Sequence, residues 1–309
     1  MALRVTFLGN DRWSVPSLRA LAGSVHDVVA VVTAAPKPAG RGNRPRPTAV
    51  ADAARELELP LVELETVRSE DGTARLASTE PDLLALVAYG ELLPKAVLDL
   101  PRIAPVNLHF SLLPALRGAS PVQTALLLGL EETGVSTIVM DEGMDTGPVV
   151  LQRREPVDPD DDAGSLGERL AGVGAGLLVE SVDLFATGAA APTPQDDTLA
   201  TFAPILGPEE RILDWSNAAR DLVNQSRALS PEPGATTTFR GKNLKVFNGR
   251  QVLASGEPGT IVEVDKEGFV VATGDAGFRP LELAPAGSAR MRARDFMNGH
   301  RPAPGERLG

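Results

Sequence analysis

The stretch that decides the fold is Pro105-Val106-Asn107-Leu108-His109-Phe110-Ser111-Leu112-Leu113-Pro114. It begins with alternating apolar and polar residues, which predicts a β-strand, and it ends at a proline. Successive side chains on a strand point to opposite faces, so Asn107, His109 and Ser111 share one face. We therefore expect an amide, an imidazole and a hydroxyl side by side on a strand whose other face is apolar.

The segments around this stretch alternate between short apolar runs and amphipathic helical patterns. Predicted strands lie at residues 3–8, 28–32, 61–62, 83–88, 135–140 and 149–157, and predicted helices at 15–22, 48–57, 121–128 and 166–185. Such alternation favours an α/β fold with a mostly parallel sheet. Ligands of such sheets bind beyond the carboxyl ends of the strands, which is where the polar side chains of the opening stretch lie.

The last third of the chain has a different pattern. A helix is predicted at residues 217–229, followed by short strands at 235–239, 244–247, 259–264, 268–273 and 278–283. Five short strands separated by Gly and Pro indicate a small β-barrel. The segment before them is rich in Ala, Pro, Thr and Asp without periodicity, which is typical of a linker. We predict a catalytic domain at residues 1–188, a linker at 189–208 and a barrel domain at 209–309.

The composition excludes several kinds of site. The chain has no cysteine, which excludes disulfides and thiolate chemistry, and we expect a cytoplasmic location. The start of the sequence lacks the apolar run and the cleavage site of a signal peptide. No stretch approaches the roughly 20 apolar residues of a membrane span, so we expect no membrane partner.

Metal and dinucleotide sites are also disfavoured. The sequence has no histidine pair at helical spacing, and His109 with Asp141 and Asp145 makes a thin ligand set, so we predict no metal. The run Gly172-Val173-Gly174-Ala175-Gly176 is similar to a dinucleotide-binding loop, but it follows a charged turn rather than a strand. We interpret these glycines as positions of close helix packing.

The net charge of −11 is unevenly distributed along the chain. Residues 216–309 contain 13 Lys and Arg against 10 Asp and Glu, a net charge of +3, so the preceding residues carry −14. An acidic protein is a poor partner for nucleic acid on average. Because the two parts differ in sign, nucleic acid stays open as a partner.

A basic segment interrupts the acidic part of the chain. Residues 36–47 include Lys37, Arg41, Arg44 and Arg46 and no acidic residue. Pro and Gly occur throughout this segment, so we expect a loop without regular structure. It is either a solvated loop or a contact for phosphates, and both interpretations stay open on composition alone.

The polar residues indicate a type of chemistry. The glycine-rich segment Met140-Asp141-Glu142-Gly143-Met144-Asp145-Thr146-Gly147 can bring a carboxylate to the face that carries Asn107 and His109. An imidazole can take a proton from a nucleophile, an amide can stabilise an oxyanion, and a carboxylate can relay protons. We predict attack of an amine on a carbonyl carbon without a covalent enzyme intermediate. A triad with Ser111 lacks the Gly-x-Ser-x-Gly turn.

A family resemblance rests on these same motifs. They are Asn-Leu-His-x-Ser-Leu-Leu-Pro at 107–114, Arg-Gly-Ala-Ser-Pro at 117–121 and Met-Asp-x-Gly-x-Asp-Thr-Gly at 140–147. Further matches are Pro-Ala-Gly-Arg-Gly at 38–42, Ala-Tyr-Gly-x-x-Leu-Pro at 88–94, Asp-Trp at 214–215, and barrel motifs at 258–261 and 285–287. Over nearly its whole length the chain resembles the formyltransferases that use 10-formyltetrahydrofolate. It is most similar to the members that act on initiator methionyl-tRNA.

The resemblance implies a role for each matching residue. Asn107, His109 and Asp145 match the catalytic trio of the family. The residues that match its folate-contacting segments are Ser111, Leu112, Leu113, Pro114, Tyr89, Gly90 and Leu93. The basic segment, with Lys37, Arg41, Arg44 and Arg46, matches the part that enters the acceptor arm of the initiator tRNA. The family fold is a Rossmann-like domain joined to an OB-like barrel, close to what the residue pattern predicts.

Two positions depart from the family pattern. The family usually has Gly-Thr-Pro after the first strand, where this chain has Gly9-Asn10-Asp11. The family often has Arg-Trp after Ser-Leu-Leu-Pro, where this chain has Ala115-Leu116. The first change lies at the expected floor of the active site and the second on the side of the amine substrate. Neither affects the trio.

The resemblance implies transfer of the formyl group of 10-formyltetrahydrofolate to the α-amino group of initiator methionyl-tRNA, and we expect a monomer. One alternative is a formyltransferase for a small amine, such as glycinamide ribonucleotide or an amino sugar nucleotide. Such an enzyme would not need the basic segment or the barrel. Another is an RNA-binding or structural protein on an inactivated enzyme scaffold, against which the complete trio argues.

Overall fold

The computed structural model of the chain describes residues 1–39 and 44–309, with all their side chains except those of Pro38, Ala39 and Arg44. The strands are β1 Arg4–Gly9, β2 Asp27–Ala34, β3 Lys37–Ala39, β4 Arg44–Arg46, β5 Leu61–Leu64, β6 Leu83–Val87, β7 Ala104–His109, β8 Glu132–Val139, β9 Val149–Pro156, β10 Ala235–Phe239, β11 Lys242–Val252, β12 Ile261–Asp265, β13 Gly268–Ala272, β14 Gly277–Pro285 and β15 Met291–Arg292. The helices are α1 Val15–Ala22, α2 Ala49–Glu56, α3 Glu70–Ala77, α4 Lys95–Leu98, α5 Pro121–Leu127, α6 Ala163–Thr187, α7 Ala219–Ala228 and α8 Ala293–His300. The sequence pattern missed the short helices α3, α4 and α8.

Seven strands form the first sheet, in the order β5-β2-β1-β6-β7-β8-β9. The strands from β5 to β7 are parallel, and β8 and β9 are antiparallel to their neighbours. β6 is buried along its whole length, as expected for a central strand covered on both faces. The predicted α/β fold with a mostly parallel sheet is confirmed. The chain order reverses between β1 and β6, and the crevice beyond their carboxyl ends is where ligands of such sheets bind.

Helix α6 corrects one expectation from the sequence. By length and composition it could cross a membrane, although we expected no stretch of that kind. It is packed against other elements, because a Cβ at Gly174 would lie 2.7 Å from Leu108 and one at Gly167 would lie 2.1 Å from Trp13. Close packing therefore accounts for Gly174 in the glycine-rich run. Gly172 and Gly176 have no atom within 4 Å of that position.

The basic segment is more regular than predicted. β3 and β4 pair antiparallel as a short hairpin, with Lys37 opposite Arg46, so the expectation of no regular structure was wrong. Proline is tolerated in a two-stranded pairing because its missing N–H can face away from the partner strand. Arg41 lies outside the described residues, as does the side chain of Arg44.

The second sheet is antiparallel, in the order β10-β11-β14-β13-β12, with β15 paired to β14. The carboxyl-terminal residues bridge both edge strands, because Leu308 pairs with Phe239 of β10 and Arg307 pairs with Thr260 next to β12. This bridging closes the sheet, in agreement with the predicted OB-like barrel. Its core contains five large aromatic residues: Trp215, Phe239, Phe269, Phe278 and Phe296.

The chain divides into two compact units. The first consists of Met1–Pro121, Glu132–Pro156 and Gly167–Ala203, and the second of Val122–Glu131, Val157–Leu166 and Pro204–Gly309. The first unit contains the seven-stranded sheet and the second contains the barrel. The predicted domain limits of 1–188 and 209–309 stay predictions.

Candidate active site

His109, the last residue of β7, is the centre of the candidate site. Only 5% of its surface is exposed. Its Nε2 lies 2.9 Å from the carbonyl oxygen of Leu116, and because a carbonyl can only accept, Nε2 carries the hydrogen. Nδ1 lies 3.6 Å from Oδ2 of Asp145. The structure thus brings His109 and Asp145 together and leaves Nδ1 as the nitrogen that can exchange a proton.

Asp145 lies in the loop between β8 and β9, in the left-handed region with φ +56°. Its Oδ2 accepts a hydrogen bond of 2.8 Å from the backbone N–H of Gly118. Among the described residues Oδ1 has no hydrogen-bond partner. Asp141 shapes the same loop, because its Oδ1 accepts from the N–H of Gly143 and from the hydroxyl of Thr146. One carboxylate oxygen of Asp145 is thus fixed and the other is available.

Asn107 shares the face of β7 that carries His109. It pairs with Leu86 on β6 and Ile138 on β8, so its backbone is fixed in the middle of the sheet. The residue is half-buried, and its side chain has no hydrogen bond to any described residue. An unused amide at this position can donate to a bound molecule.

The segment after β7 is a tight turn that two serine hydroxyls stabilise by hydrogen bonds. The Ser111 hydroxyl donates to the carbonyl of Ala115 at 2.6 Å, and Ser136 donates to the Ser111 carbonyl at 2.6 Å. The peptide bond between Leu113 and Pro114 is cis. The Ser111 hydroxyl is therefore used within the turn. Leu112 and Pro114 are half-buried, while Leu113 is buried.

The loop after β6 carries the other predicted folate contacts. Tyr89 and Leu93 are buried in one hydrophobic cluster, and Gly90 is exposed in the left-handed region with φ +84°. Burial raises the pKa of the Tyr89 phenol far above its usual value, and the nearby Glu91 carboxylate raises it further. Tyr89 is therefore neutral at physiological pH and shapes the loop from beneath.

Asn10, at the family's Gly-Thr-Pro position, fastens this loop to the sheet. Its side-chain amide donates to the carbonyl of Tyr89. Its carbonyl oxygen accepts from the backbone N–H of Ala34 at 2.7 Å and from the hydroxyl of Thr33 at 2.9 Å. The changed residue therefore joins the ends of β1, β2 and β6 where the chain order reverses.

Sequence reasoning missed the groups that hold Asp145 in place. Gly118 belongs to a quoted motif, but only the fold shows its N–H on the Asp145 carboxylate. Gln195 donates to the backbone of the Asp145 loop and lies in the segment that was predicted as a linker. No local pattern marks either interaction, since the partners are 27 and 50 residues apart.

The charged groups outside the trio are also placed by the structure. Lys37 and Arg46 are exposed, and neither has an ion-pair partner among the described residues. A cavity of about 730 Å³ in the second unit is lined by groups that include Lys245, Phe247 and Arg290. Within residues 1–39 and 44–309 there is no cluster of three or more His, Asp or Glu side chains that could hold a metal ion.

Comparison with known proteins identifies the family of the chain. Residues 3–182 match the family model described as formyl transferase, and residues 205–301 match the one described as formyl transferase, C-terminal domain. A curated methionyl-tRNA formyltransferase from Roseiflexus castenholzii is 45% identical over 314 residues, covering 100% of both chains.

Solved structures share the fold at lower identity. HypX from Aquifex aeolicus, crystallised in complex with tetrahydrofolic acid, is 18% identical with a TM-score of 0.65 and covers 96% of this chain and 47% of its own. Methionyl-tRNA formyltransferase from Clostridium thermocellum is 16% identical with a TM-score of 0.57 and covers 82% of this chain and 95% of its own.

Proposed function

The chain belongs to the formyl transferase family, and we propose that it transfers the formyl group of 10-formyltetrahydrofolate to the α-amino group of initiator methionyl-tRNA. The observation that carries the choice of substrate is the full-length identity of 45% with a methionyl-tRNA formyltransferase. The placement of Asp145 beside a buried His109 supports the type of reaction.

In the proposed mechanism the neutral amine attacks the formyl carbon, and the bond between that carbon and N10 of the folate breaks. Asn107, through its unused amide, and protonated His109, in which Nδ1 carries a hydrogen as Nε2 does, donate hydrogen bonds to the oxyanion that forms. Asp145, through its unpaired Oδ1, takes the proton that the amine loses and returns it to N10, directly or through water. The proton of the amine ends on N10, which also keeps the electron pair of the broken bond, so no other reactant is needed.

The folate is proposed to bind between the two segments that follow β6 and β7. Gly90 is exposed there, and Tyr89 and Leu93 support it from the core. On the other side Leu112, Leu113 and Pro114 offer apolar surface. Because the Ser111 hydroxyl donates to the Ala115 carbonyl, we assign Ser111 a folate contact through the shape of the turn it stabilises.

The tRNA is proposed to bind through exposed cations. In the first unit the exposed cations are Lys37 and Arg46. Arg41 and Arg44 are proposed as further tRNA contacts because they belong to the same basic segment of the sequence. The proposed tRNA-binding domain at residues 209–309 contributes a second set, which is exposed and has no ion-pair partner among the described residues: Lys242, Lys266, Arg292 and Arg301. Cations without acidic partners are available to phosphates. Since charged tRNA is a cytoplasmic substrate, we propose that the protein acts in the cytoplasm.

A substrate panel tests the proposal. The purified protein is given formyl-labelled 10-formyltetrahydrofolate with initiator methionyl-tRNA, glycinamide ribonucleotide or an amino sugar nucleotide. We expect label on methionyl-tRNA and none on the small amines. Label on a small amine alone would establish the rival formyltransferase. Tight tRNA binding without transfer to any amine would identify an inactivated scaffold.

A further inference from the structure

The segment predicted as a linker forms backbone hydrogen bonds with other parts of the first unit on both sides of Gln195. Before it, Thr193 and Val149 exchange two backbone hydrogen bonds of 2.8 Å each. After it, the Arg117 N–H donates to the Thr201 carbonyl at 2.9 Å, and the Ala203 N–H donates back to the Arg117 carbonyl at 2.8 Å. Gln195 thus lies between two stretches whose backbones are fixed by hydrogen bonds, beside the candidate site.

The side-chain amide of Gln195 uses its full hydrogen-bonding capacity. Its Nε2 donates to the backbone carbonyls of Asp145 at 2.8 Å and Gly147 at 2.7 Å. Its Oε1 accepts from Nε of Arg117 at 3.1 Å and from Nη2 at 2.8 Å. Arg117 is itself buried, with 4% of its surface exposed. One side chain therefore joins the Asp145 loop to the residues that follow Leu116.

Both of the joined stretches hold backbone conformations that need support. Asp145 has φ +56° and Leu116 has φ +59°, the left-handed region that residues with a side chain rarely adopt. Such conformations persist where the surrounding structure imposes them. Leu116 presents its carbonyl to His109 Nε2, and Gly118 presents its N–H to Asp145 Oδ2. The two stretches together determine how imidazole and carboxylate face each other.

We propose that Gln195 is the positioning residue of the active site, which holds the Asp145 carboxylate against His109 by clamping the two strained stretches. It acts through backbone carbonyls and through Arg117, and it touches neither substrate nor reacting atoms. The inference rests on the proposed function, in which Asp145 moves the protons of formyl transfer.

The first test separates positioning from binding. Gln195→Ala should lower kcat about 10- to 100-fold, because small displacements of catalytic groups have effects of that size. KM for 10-formyltetrahydrofolate and for methionyl-tRNA should stay within about twofold. Gln195→Glu keeps the acceptor for Arg117 but cannot donate to the two carbonyls, so it should lose at least as much kcat. A kcat within about twofold of the parent in both variants would overturn the inference.

A matched control is available in the second unit. Gln225 is also half-buried, and its Nε2 also donates to two backbone carbonyls, those of Glu210 at 2.8 Å and Ile212 at 3.0 Å. Gln225→Ala should lower the melting temperature about as much as Gln195→Ala and leave kcat unchanged. An equal fall of kcat in the Gln225 variant would show that lower stability, and not positioning, explains the effect.

A double-mutant cycle separates this inference from the proposed function. If Gln195 acts through Asp145, then adding Gln195→Ala to Asp145→Asn should cause no further loss in a single-turnover assay with labelled formyl donor. Losses that multiply would show that Gln195 acts elsewhere. A fully active Asp145→Asn variant would instead refute the proposed role of Asp145. If Asp145→Asn is inactive and Gln195→Ala is not impaired, only the inference fails.

Discussion

His109 and Lys37 both serve the proposed reaction, and their surroundings differ. Around His109 the protein supplies its own partners, with the Leu116 carbonyl on Nε2 and the Asp145 carboxylate facing Nδ1. In the hairpin of β3 and β4, Lys37 lies opposite Arg46, and neither has an ion-pair partner among the described residues. Like charges opposite each other on paired strands are destabilising.

The difference reflects what each region must do. Stabilisation of a transition state requires groups that are already in place, because reorganisation during the reaction costs rate. Binding of a phosphate backbone requires mainly positive charge, and most of its free energy comes from released counterions. The strand end around His109 is thus complete in the free protein. In the hairpin, a bound group with negative charge would offset the repulsion between Lys37 and Arg46.

The largest effect is expected from a change at Asn107, the member of the trio whose side chain has no hydrogen bond to a described residue. Asn107→Ala should lower kcat about 10²- to 10³-fold, because removal of an oxyanion donor has an effect of this size. The melting temperature should not change, since the Asn107 side chain has no hydrogen bond to a described residue. Steady-state kinetics and thermal unfolding of the same preparation measure both.

Asn248→Ala is the control for this variant. Asn248 is likewise a half-buried strand residue whose side chain has no hydrogen bond within residues 1–39 and 44–309. It lies on β11 in the second unit, so kcat should be unaffected. If Asn107→Ala kept kcat within a few fold of the parent, the oxyanion role would have to move to another donor and the comparison with the hairpin would lose its basis.

The sequence located Asn107 and His109 on one strand, but it did not reveal the groups that support the candidate site. Asn107 and His109 follow from the period of two along one strand, and β7 extends over both. The hydrogen bonds of Asp145 with Gly118 and Gln195 join segments far apart in the chain, and only the fold brings them together. Local composition also gave no sign of the backbone hydrogen bonds of Thr193, Thr201 and Ala203, because a segment without periodicity can still pair by its backbone.

The barrel and the hairpin show the same limit of local patterns. Five short strands were predicted from turn residues and alternation, and the structure has them. Closure of the sheet by residues 305–309 depends on pairings with β10 and β12, which no local signal specifies. The hairpin of β3 and β4 was missed because Pro and Gly normally interrupt strands.

A smaller effect is expected when the hairpin is deprived of its cations. Changing Lys37 and Arg46 together to Gln should weaken binding of methionyl-tRNA about tenfold at physiological salt. The slope of log affinity against log salt should fall by about one for each phosphate that the protein no longer neutralises. Binding titrations at several salt concentrations measure both, and kcat at saturating tRNA should be unchanged.

The matched control is a cation that already has a partner. Lys95 is exposed and forms an ion pair with Asp99 at 2.9 Å, so Lys95→Gln should leave the salt slope unchanged. The same slope in the Lys37 and Arg46 variant as in the parent would remove the hairpin from the tRNA site. A lower kcat at saturating tRNA would show that the hairpin also affects the chemistry, against the division proposed above.

The smallest expected effect concerns Asn10, whose side chain is bonded to the proposed folate loop and to the end of β2, the strand that precedes the hairpin. Its amide donates to the Tyr89 carbonyl, and its oxygen accepts from Ala34, three residues before Lys37. Asn10→Ala leaves two partly buried backbone groups without their partner, so unfolding should become easier by about 1 kcal/mol. Because Tyr89 shapes the proposed folate loop, KM for 10-formyltetrahydrofolate should rise a few fold.

Substitutions at Asn10 decide whether the two regions are independent. Asn10→Asp keeps the oxygen that accepts from Ala34 but loses the donor to Tyr89, so it should raise KM for the folate at least as much as Asn10→Ala. The salt slope of tRNA binding should be unchanged in both variants, because the cations of the hairpin remain. If the slope fell together with the folate affinity, the hairpin would depend on the same hydrogen bonds as the folate loop. The folate loop and the hairpin would then not be independent, because the single side chain of Asn10 would set the geometry of both.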